Sequence, residues 1–254
     1  MDLQKIAAHC KGEYHIELLN ETDSTNRQLR KLAEGGAPEG SVLFALHQTA
    51  GKGRMGRKFF SPAGSGLYFS ILLRPQEMAG GMKITAAAGV AVAQAVRDVL
   101  GIDLSIKWVN DLYLGNKKVC GILAESAMDG QGKFNYCVLG IGLNVFEPQG
   151  WEDGLDQIAG ALLPQTKEDV LELLAAAILD RFFGWYQNLS DPQLMEEYRA
   201  RSFLQGKRVM AVIGEQRLGG VVEGISDGGE LLLKTESGEL RALCSGEVRL
   251  EDYR

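Results

Sequence analysis

The spacing of apolar and polar positions divides the chain into stretches of different period. Residues 27–34 form a short amphipathic run between Asp23-Ser24-Thr25-Asn26 and Gly35-Gly36. Small polar residues at one end and glycines at the other predict a short capped helix. Residues 42–46 are continuously apolar and 67–73 nearly so, which predicts two buried strands. Residues 85–100 are rich in Ala and Val, with Gln94, Arg97 and Asp98 as their strongly polar positions. That stretch predicts a mostly buried helix. Residues 104–108, 119–124 and 134–143 are further strand candidates, separated by turn formers such as Gly115-Asn116 and Asp129-Gly130. Thr166-Lys167-Glu168-Asp169 opens an amphipathic helix running to about Leu189, and Asp191-Pro192 opens another, with Pro in the first turn.

After Ser202 the period shortens. Residues 207–213, 217–222, 231–235, 239–243 and 247–250 are short β-like runs joined by Gly214-Glu215, Asp227-Gly228-Gly229 and Ser237-Gly238. Five short strands with tight turns predict a small barrel of SH3-like size. The boundary falls near 203–206, giving units at 1–204 and 205–254. The larger unit reads as α+β with a mixed or antiparallel sheet, because several strands follow one another without helical crossovers.

Length and composition narrow the class. With 254 residues, 45% of them hydrophobic and 24% charged, the chain can bury a sizeable core. A net charge of −6 argues against general nucleic-acid affinity. No apolar run reaches the roughly 18 residues of a membrane span, and the opening residues contain no signal-peptide core. Cys10, Cys120, Cys137 and Cys244 are scattered, as are His9, His15 and His47, so no zinc site is legible. These features predict a reduced, cytoplasmic protein.

Against that acidic average, Gly51-Lys52-Gly53-Arg54-Met55-Gly56-Arg57-Lys58 packs three glycines and four cations into eight residues. Glycine permits close backbone approach, and Lys and Arg donate to phosphate or carboxylate oxygens. Composition alone leaves a solvated basic turn as an equal reading. A second cluster, Lys107-Trp108-Val109-Asn110-Asp111-Leu112-Tyr113 followed by Lys117-Lys118-Val119-Cys120-Gly121, places a carboxylate, an amide and ammonium groups at neighbouring strand ends. Asp and Asn at a turn commonly serve only local backbone hydrogen bonds. Gly140-Ile141-Gly142-Leu143-Asn144 does not continue as a dinucleotide fingerprint, and Gly51-Lys52 does not meet the phosphate-loop spacing. Ser24-Thr25-Asn26 reads first as a helix cap, and second as a polar ligand contact at a helix N-terminus.

The order of these elements is more specific than any one of them. Asp23-Ser24-Thr25-Asn26, Gln48-Thr49-Ala50-Gly51-Lys52-Gly53-Arg54-Met55-Gly56-Arg57, Lys107 to Leu112, Lys118 to Glu125 and Gly140 to Asn144 together resemble the bacterial biotin–protein ligases. The ending Ser245-Gly246-Glu247-Val248 resembles that family's last motif. The resemblance implies a class II synthetase-like catalytic domain with flanking helices plus the SH3-like barrel. It also implies activation of biotin with MgATP to biotinyl-5′-AMP, then transfer to one lysine of a biotin carboxyl carrier domain of a biotin-dependent carboxylase. Lys118, Arg54 and Asp111 would be catalytic. Biotin would be bound by Ser24, Thr25, Asn26, Gln48, Gly51, Lys52, Gly53, Arg54, Lys118 and Gly121. ATP or the adenylate would be bound by Arg54, Arg57, Phe59, Asn110, Lys118 and Asn144. By the same resemblance Asp111 would organise Mg²⁺ and Lys118 and would help deprotonate the incoming lysine. The loop 51–62 would order over the intermediate and shield it from water.

Three positions depart from the family pattern. Lys52 replaces the usual Arg and loses its planar fork, Phe59 replaces a Trp, and Val109 replaces a Pro, which would loosen a turn. Only about fourteen residues precede the catalytic-like start, too few for the winged-helix domain of repressor relatives, so no operator binding and no membrane partner are expected. A monomer or weak homodimer is expected. Lipoate or octanoate ligation is the nearest rival, but its Arg-Arg-x-x-Gly-Gly-Gly and His-Asp pattern is missing. A non-catalytic biotin or biotinyl-AMP sensor is the second rival, opposed by intact Lys118, Arg54 and Asp111. Peptide docking on the C-terminal unit finds no aromatic groove residues in its sequence.

Overall fold

The computed structural model describes residues 1–75, 81–131, 134–152 and 154–250. The elements run α1 (Leu3–His9), β1 (His15–Thr22), α2 (Thr25–Glu34), β2 (Ser41–Gln48), β3 (Gly66–Leu73) and α3 (Gly81–Leu100). They continue with β4 (Ser105–Lys107), β5 (Asp111–Leu114), β6 (Lys117–Met128), β7 (Phe134–Asn144), α4 (Val170–Tyr186) and α5 (Pro192–Arg201). Five further strands follow: β8 (Arg208–Ile213), β9 (Gln216–Ile225), β10 (Leu231–Thr235), β11 (Leu240–Leu243) and β12 (Glu247–Leu250).

The first seven strands make one mixed sheet in the order β1-β2-β3-β7-β6-β5-β4. Only β1 and β2 run parallel, and the other ladders are antiparallel. Successive strand residues point to opposite faces, and both faces here are used. Phe69, Ile71 and Leu73 of β3, with Leu139, Ile141 and Leu143 of β7, join the main core under α3, α4 and α5. Leu72 and Val138 turn the other way, onto Leu29 and Ala33 of α2. The two-residue spacing therefore sends Gly140, Gly142 and Asn144 to the α2 face, and Gly121, Leu123 and Glu125 likewise on β6. That face holds the cavity described below. The helix expected over 85–100 begins earlier, at Gly81, and is buried almost all round as its Ala/Val content requires.

The second sheet is antiparallel and open, in the order β11-β10-β9-β8-β12. All five runs read from the sequence are strands. The outer strands β11 and β12 do not pair with each other among the described residues. The sheet docks on the first unit through buried Trp108, whose Nε1 donates to Gly229 O at 2.9 Å, and through Arg199, which donates to Asp227 Oδ1 at 2.9 Å.

Several local expectations change. Ser24 is the N-cap of α2, but its side chain makes no capping bond. The neighbouring Asp23 carboxylate instead accepts from Ser24 N and from Gln28 Nε2. The helix expected from 166 starts at Val170, because Asp169 has φ +59° and its carboxylate turns to Lys5 Nζ at 2.6 Å. Asp111 begins a strand rather than sitting within a turn; the turn is Trp108-Val109-Asn110, with a cis Trp108–Val109 peptide. Tyr198 OH donates to Val109 O in that turn at 3.0 Å.

Candidate active site

A cavity of about 420 Å³ opens on the α2 face of the first sheet. Its floor is the β6–β7 ladder where Gly121 pairs with Gly142. A Cβ on Gly142 would come within 2.4 Å of the Phe59 ring, and one on Gly140 within 2.2 Å of Asn26 Oδ1. Glycine at these positions lets both side chains reach the sheet surface. The reading of these glycines as close-packing positions and their reading as part of a binding motif are thus one arrangement.

One end of the cavity is polar and uncharged. Gln48 Oε1 accepts from Thr25 N at 2.8 Å and from Thr25 Oγ1 at 3.1 Å, and Gln48 Nε2 donates to Ser61 Oγ at 3.1 Å. Asn26 Nδ2 donates to Glu125 Oε2 at 2.8 Å. The Ser24 side chain is buried beside them at 2% exposure and lines the same space.

The other end is cationic. Lys118 Nζ lies 2.7 Å from Asp111 Oδ1, a buried oxygen that receives no hydrogen bond of good geometry despite this ion pair. Arg54 reaches in from the loop and donates to Asn110 Oδ1 at 3.0 Å and Gly246 O at 3.2 Å. Burial pulls the Arg54 guanidinium below its usual pKa, against the opposing fields of Asp111 and Glu247. Lys107, which the sequence reading did not assign, also lines this end; burial lowers its pKa while Asp111 and Glu247 oppose the change. Its ammonium sits 5.9 Å from the centre of the Tyr113 ring. Lys118, Arg54 and Lys107 thus face Asp111 and Glu247, an excess of cations suited to a polyanion.

The glycine-rich loop is a hydrogen-bonded flap. Phe59 N donates to Gly51 O at 2.9 Å and Gly53 N to Arg57 O at 2.7 Å. Met55 at its tip has φ +56° and is 62% exposed. Arg57 pairs with Glu247 of the second sheet, and Lys52 Nζ lies 3.9 Å from Glu125 Oε1.

A model of the biotin/lipoate A/B protein ligase family matches residues 18–144, and one of the biotin protein ligase C-terminal domain matches 205–250. The chain belongs to this ligase family. It is similar to the bifunctional ligase/repressor of Bacillus subtilis, at 31% identity over 93% of this chain and 74% of that protein. It is similar also to the biotin–[acetyl-CoA-carboxylase] ligase of Mycobacterium tuberculosis, at 32% identity over 93% and 89%. Among solved structures, a biotin protein ligase from Aquifex aeolicus in complex with biotin and ATP superposes with a TM-score of 0.76. That likeness is at 29% identity and covers 93% of this chain and 98% of the other.

Within this ligase fold the cavity brings together all but one of the residues singled out from sequence. Ser24, Thr25, Asn26 and Gln48 line one end; Asn110, Asp111, Lys118 and Asn144 line the other; Lys52, Gly53, Arg54, Arg57, Phe59 and Gly121 complete the walls. Gly51 is the exception. It lies behind the lining, where a Cβ would meet Phe59 O at 2.4 Å, so it serves the flap's own packing. Sequence reading missed Lys107, Trp151, Glu125 and Ser70. Lys107 and Glu125 stood inside quoted motifs, whereas Ser70 lies on a strand where nothing local marks it.

Proposed function

We propose that this ligase-family chain is a biotin–protein ligase. It joins biotin to ATP, forming biotinyl-5′-AMP and pyrophosphate, and then passes biotin to one lysine of the carrier domain of a biotin-dependent carboxylase. The observation that carries this reading is a single cavity with an uncharged hydrogen-bonding end at Ser24, Thr25 and Gln48 and a cationic end at Lys118 and Arg54. A neutral ring with a carboxylate tail and a triphosphate needs both ends. The relatives named above for biotin support the same choice.

In the first step a biotin carboxylate oxygen attacks the α-phosphorus, and the bond to the departing pyrophosphate breaks. Two anions must meet, so Lys118, Arg54 and Arg57 act by offsetting their repulsion and the charge that builds on the transferring phosphate. In the second step the acceptor amine attacks the acyl carbon, gives up a proton and expels AMP, with Asp111 as proton acceptor. Ser24, Thr25, Asn26 and Gln48, with backbone of 52–54, take the ring; Asn144 and Phe59 take the nucleotide; Asn110 holds Arg54; Gly121 leaves room for Lys118.

Magnesium fits the residues present. Asp111 Oδ1 is buried without a well-formed hydrogen bond, and among the described residues no cluster of three His, Cys, Asp or Glu forms a protein-only cage. Mg²⁺ characteristically uses one or two carboxylates together with substrate phosphates. Asp111 would hold it, and the ion would neutralise phosphate charge.

We read the chain as units 1–204 and 205–254, the second of SH3-like class and closing the cavity with Gly246, Glu247 and Val248. We also read it as a cytoplasmic monomer or weak homodimer. The decisive experiment is ATP–pyrophosphate exchange with biotin, lipoate and octanoate. Exchange with biotin alone, lost in Lys118→Ala, is expected. Exchange with lipoate alone would move the substrate class, and biotin binding without exchange would turn the reading to a sensor.

A further inference from the structure

Ser70 is a hydroxyl in the middle of β3, 0% exposed and outside the cavity lining. Its Oγ lies 2.6 Å from Asn26 Oδ1 and 2.8 Å from Thr25 Oγ1. A buried serine in a strand otherwise built of Leu, Tyr, Phe and Ile carries a desolvation cost unless its hydrogen bonds are made. Both of its partners are residues of the uncharged end of the cavity.

The orientations of the two amides at that end follow from groups whose roles are fixed. Thr25 N is a backbone donor, so the Gln48 atom 2.8 Å from it is the amide oxygen. Gln48 therefore turns its Nε2 away from Thr25, with one hydrogen to Ser61 Oγ and the other left for a ligand. Ionised Glu125 only accepts, so the Asn26 atom 2.8 Å from it is the nitrogen. The Asn26 Nδ2 hydrogens are directed to Glu125 and to Leu123 O, and its Oδ1 receives Ser70 and keeps one lone pair free. The recognition end thus offers an N–H from Gln48 and an acceptor from Asn26, with the Ser24 hydroxyl beside them.

We propose that Ser70 is a positioning residue that, with Glu125, fixes the hydrogen-bonding polarity of Asn26 beside a Gln48 amide held by Thr25 N, so that the pocket demands a ligand carrying both a carbonyl acceptor and an N–H donor. A cyclic urea meets that demand. A dithiolane or an alkyl chain does not, and would leave both groups of the pocket unpaired. The inference rests on the biotin reading above and deepens it: selectivity resides in residues that do not touch the ligand.

The test is steady-state pyrophosphate exchange for wild type, Ser70→Ala and Ser70→Cys, with biotin and ATP varied separately and octanoate as competitor substrate, alongside thermal melts. The loss of one buried hydrogen bond predicts a rise in biotin KM of about tenfold in Ser70→Ala. The ATP KM is expected to stay within about twofold and the biotin-over-octanoate preference to contract in step with the biotin KM. Ser70→Cys, which keeps a weak donor, should fall between. An unchanged biotin KM, or parallel rises for biotin and ATP, would overturn the proposal. Should Ser70→Ala fail to fold, Glu125→Gln removes the obligate acceptor and frees the Asn26 amide to turn. A selective loss of biotin affinity in that variant supports the proposal, and none refutes it. Wild type that neither binds nor activates biotin would sink the ligase reading itself, a result distinct from any difference between variants.

Discussion

Lys118 Nζ and Asp111 Oδ1 stand 2.7 Å apart across the β5–β6 ladder, at the cationic end of the cavity. This pair links stability to chemistry in opposite directions. Lys118→Ala should lower pyrophosphate exchange by about 10²–10³-fold, the usual loss when a preorganised charge donor is removed. It should also lower the melting temperature, because it removes the 2.7 Å ion-pair partner of a buried carboxylate oxygen that has no well-formed hydrogen bond. The double variant Lys118→Ala/Asp111→Ala should melt higher than Lys118→Ala while remaining inactive. A double variant that melts lower would show that the pair contributes net stability rather than offsetting a buried charge.

The glycine floor makes a second prediction. Gly142→Ala would place a methyl 2.4 Å from the Phe59 ring, closer than any real contact, and drive the ring off the sheet. We expect ATP KM to rise and biotin KM to change less, on our proposal that Phe59 takes the nucleotide. Adding Phe59→Ala to Gly142→Ala should recover the melting temperature, measured by calorimetry, without recovering ATP affinity. Failure of that recovery would place the damage in the β6–β7 ladder instead.

Much of the chain's logic was legible because it is written in periods of two and in glycine spacing. Most strands of both sheets and the buried α3 follow from runs and turns alone. Other elements were not. β1 carries His15, Glu17, Asn20 and Glu21 among its apolar residues, and as an edge strand paired on one side it hides less of itself than β3 does. The Lys118–Asp111 pair was suspected from adjacent motifs, whereas Ser70 and Glu125 reach Asn26 across 44 and 99 residues of sequence. Such contacts are set by the register of distant strands, which no local pattern encodes.

Trp108 ties the two sheets together beside the β4–β5 hairpin. Its Nε1 donates to Gly229 O in a buried contact, so Trp108→Phe keeps an aromatic ring but leaves a carbonyl unsatisfied, at a cost of about 1–3 kcal/mol. For a chain of this size that corresponds to a fall in melting temperature of roughly 2–10 °C. Limited proteolysis should then release the C-terminal sheet sooner than in wild type. Unchanged proteolysis and melting would mean that Arg199 and its neighbours hold the units together without Trp108.

Asp23 gives the fold a pH dependence whose sign can be worked through. Burial pushes its carboxyl upward, but hydrogen bonds from Gln28, Arg27 and Ser24 N outweigh burial and hold it down at about 2, against an ordinary value of 3.8. A carboxyl with a depressed folded-state pKa adds stability that is complete above its unfolded value and lost as pH falls through the folded one. Asp23→Asn should therefore melt below wild type at neutral pH, by a margin that stays constant down to about pH 5. The margin should shrink below about pH 4 and close only below about pH 2, as wild-type Asp23 takes up its proton. Because Asp23 receives the Ser24 amide, the variant should also loosen the start of α2 and raise biotin KM at neutral pH. Melts of the two proteins across this range decide it: a gap that does not narrow on acidification would mean that the Asn side chain itself, and not the lost charge, destabilises the helix start.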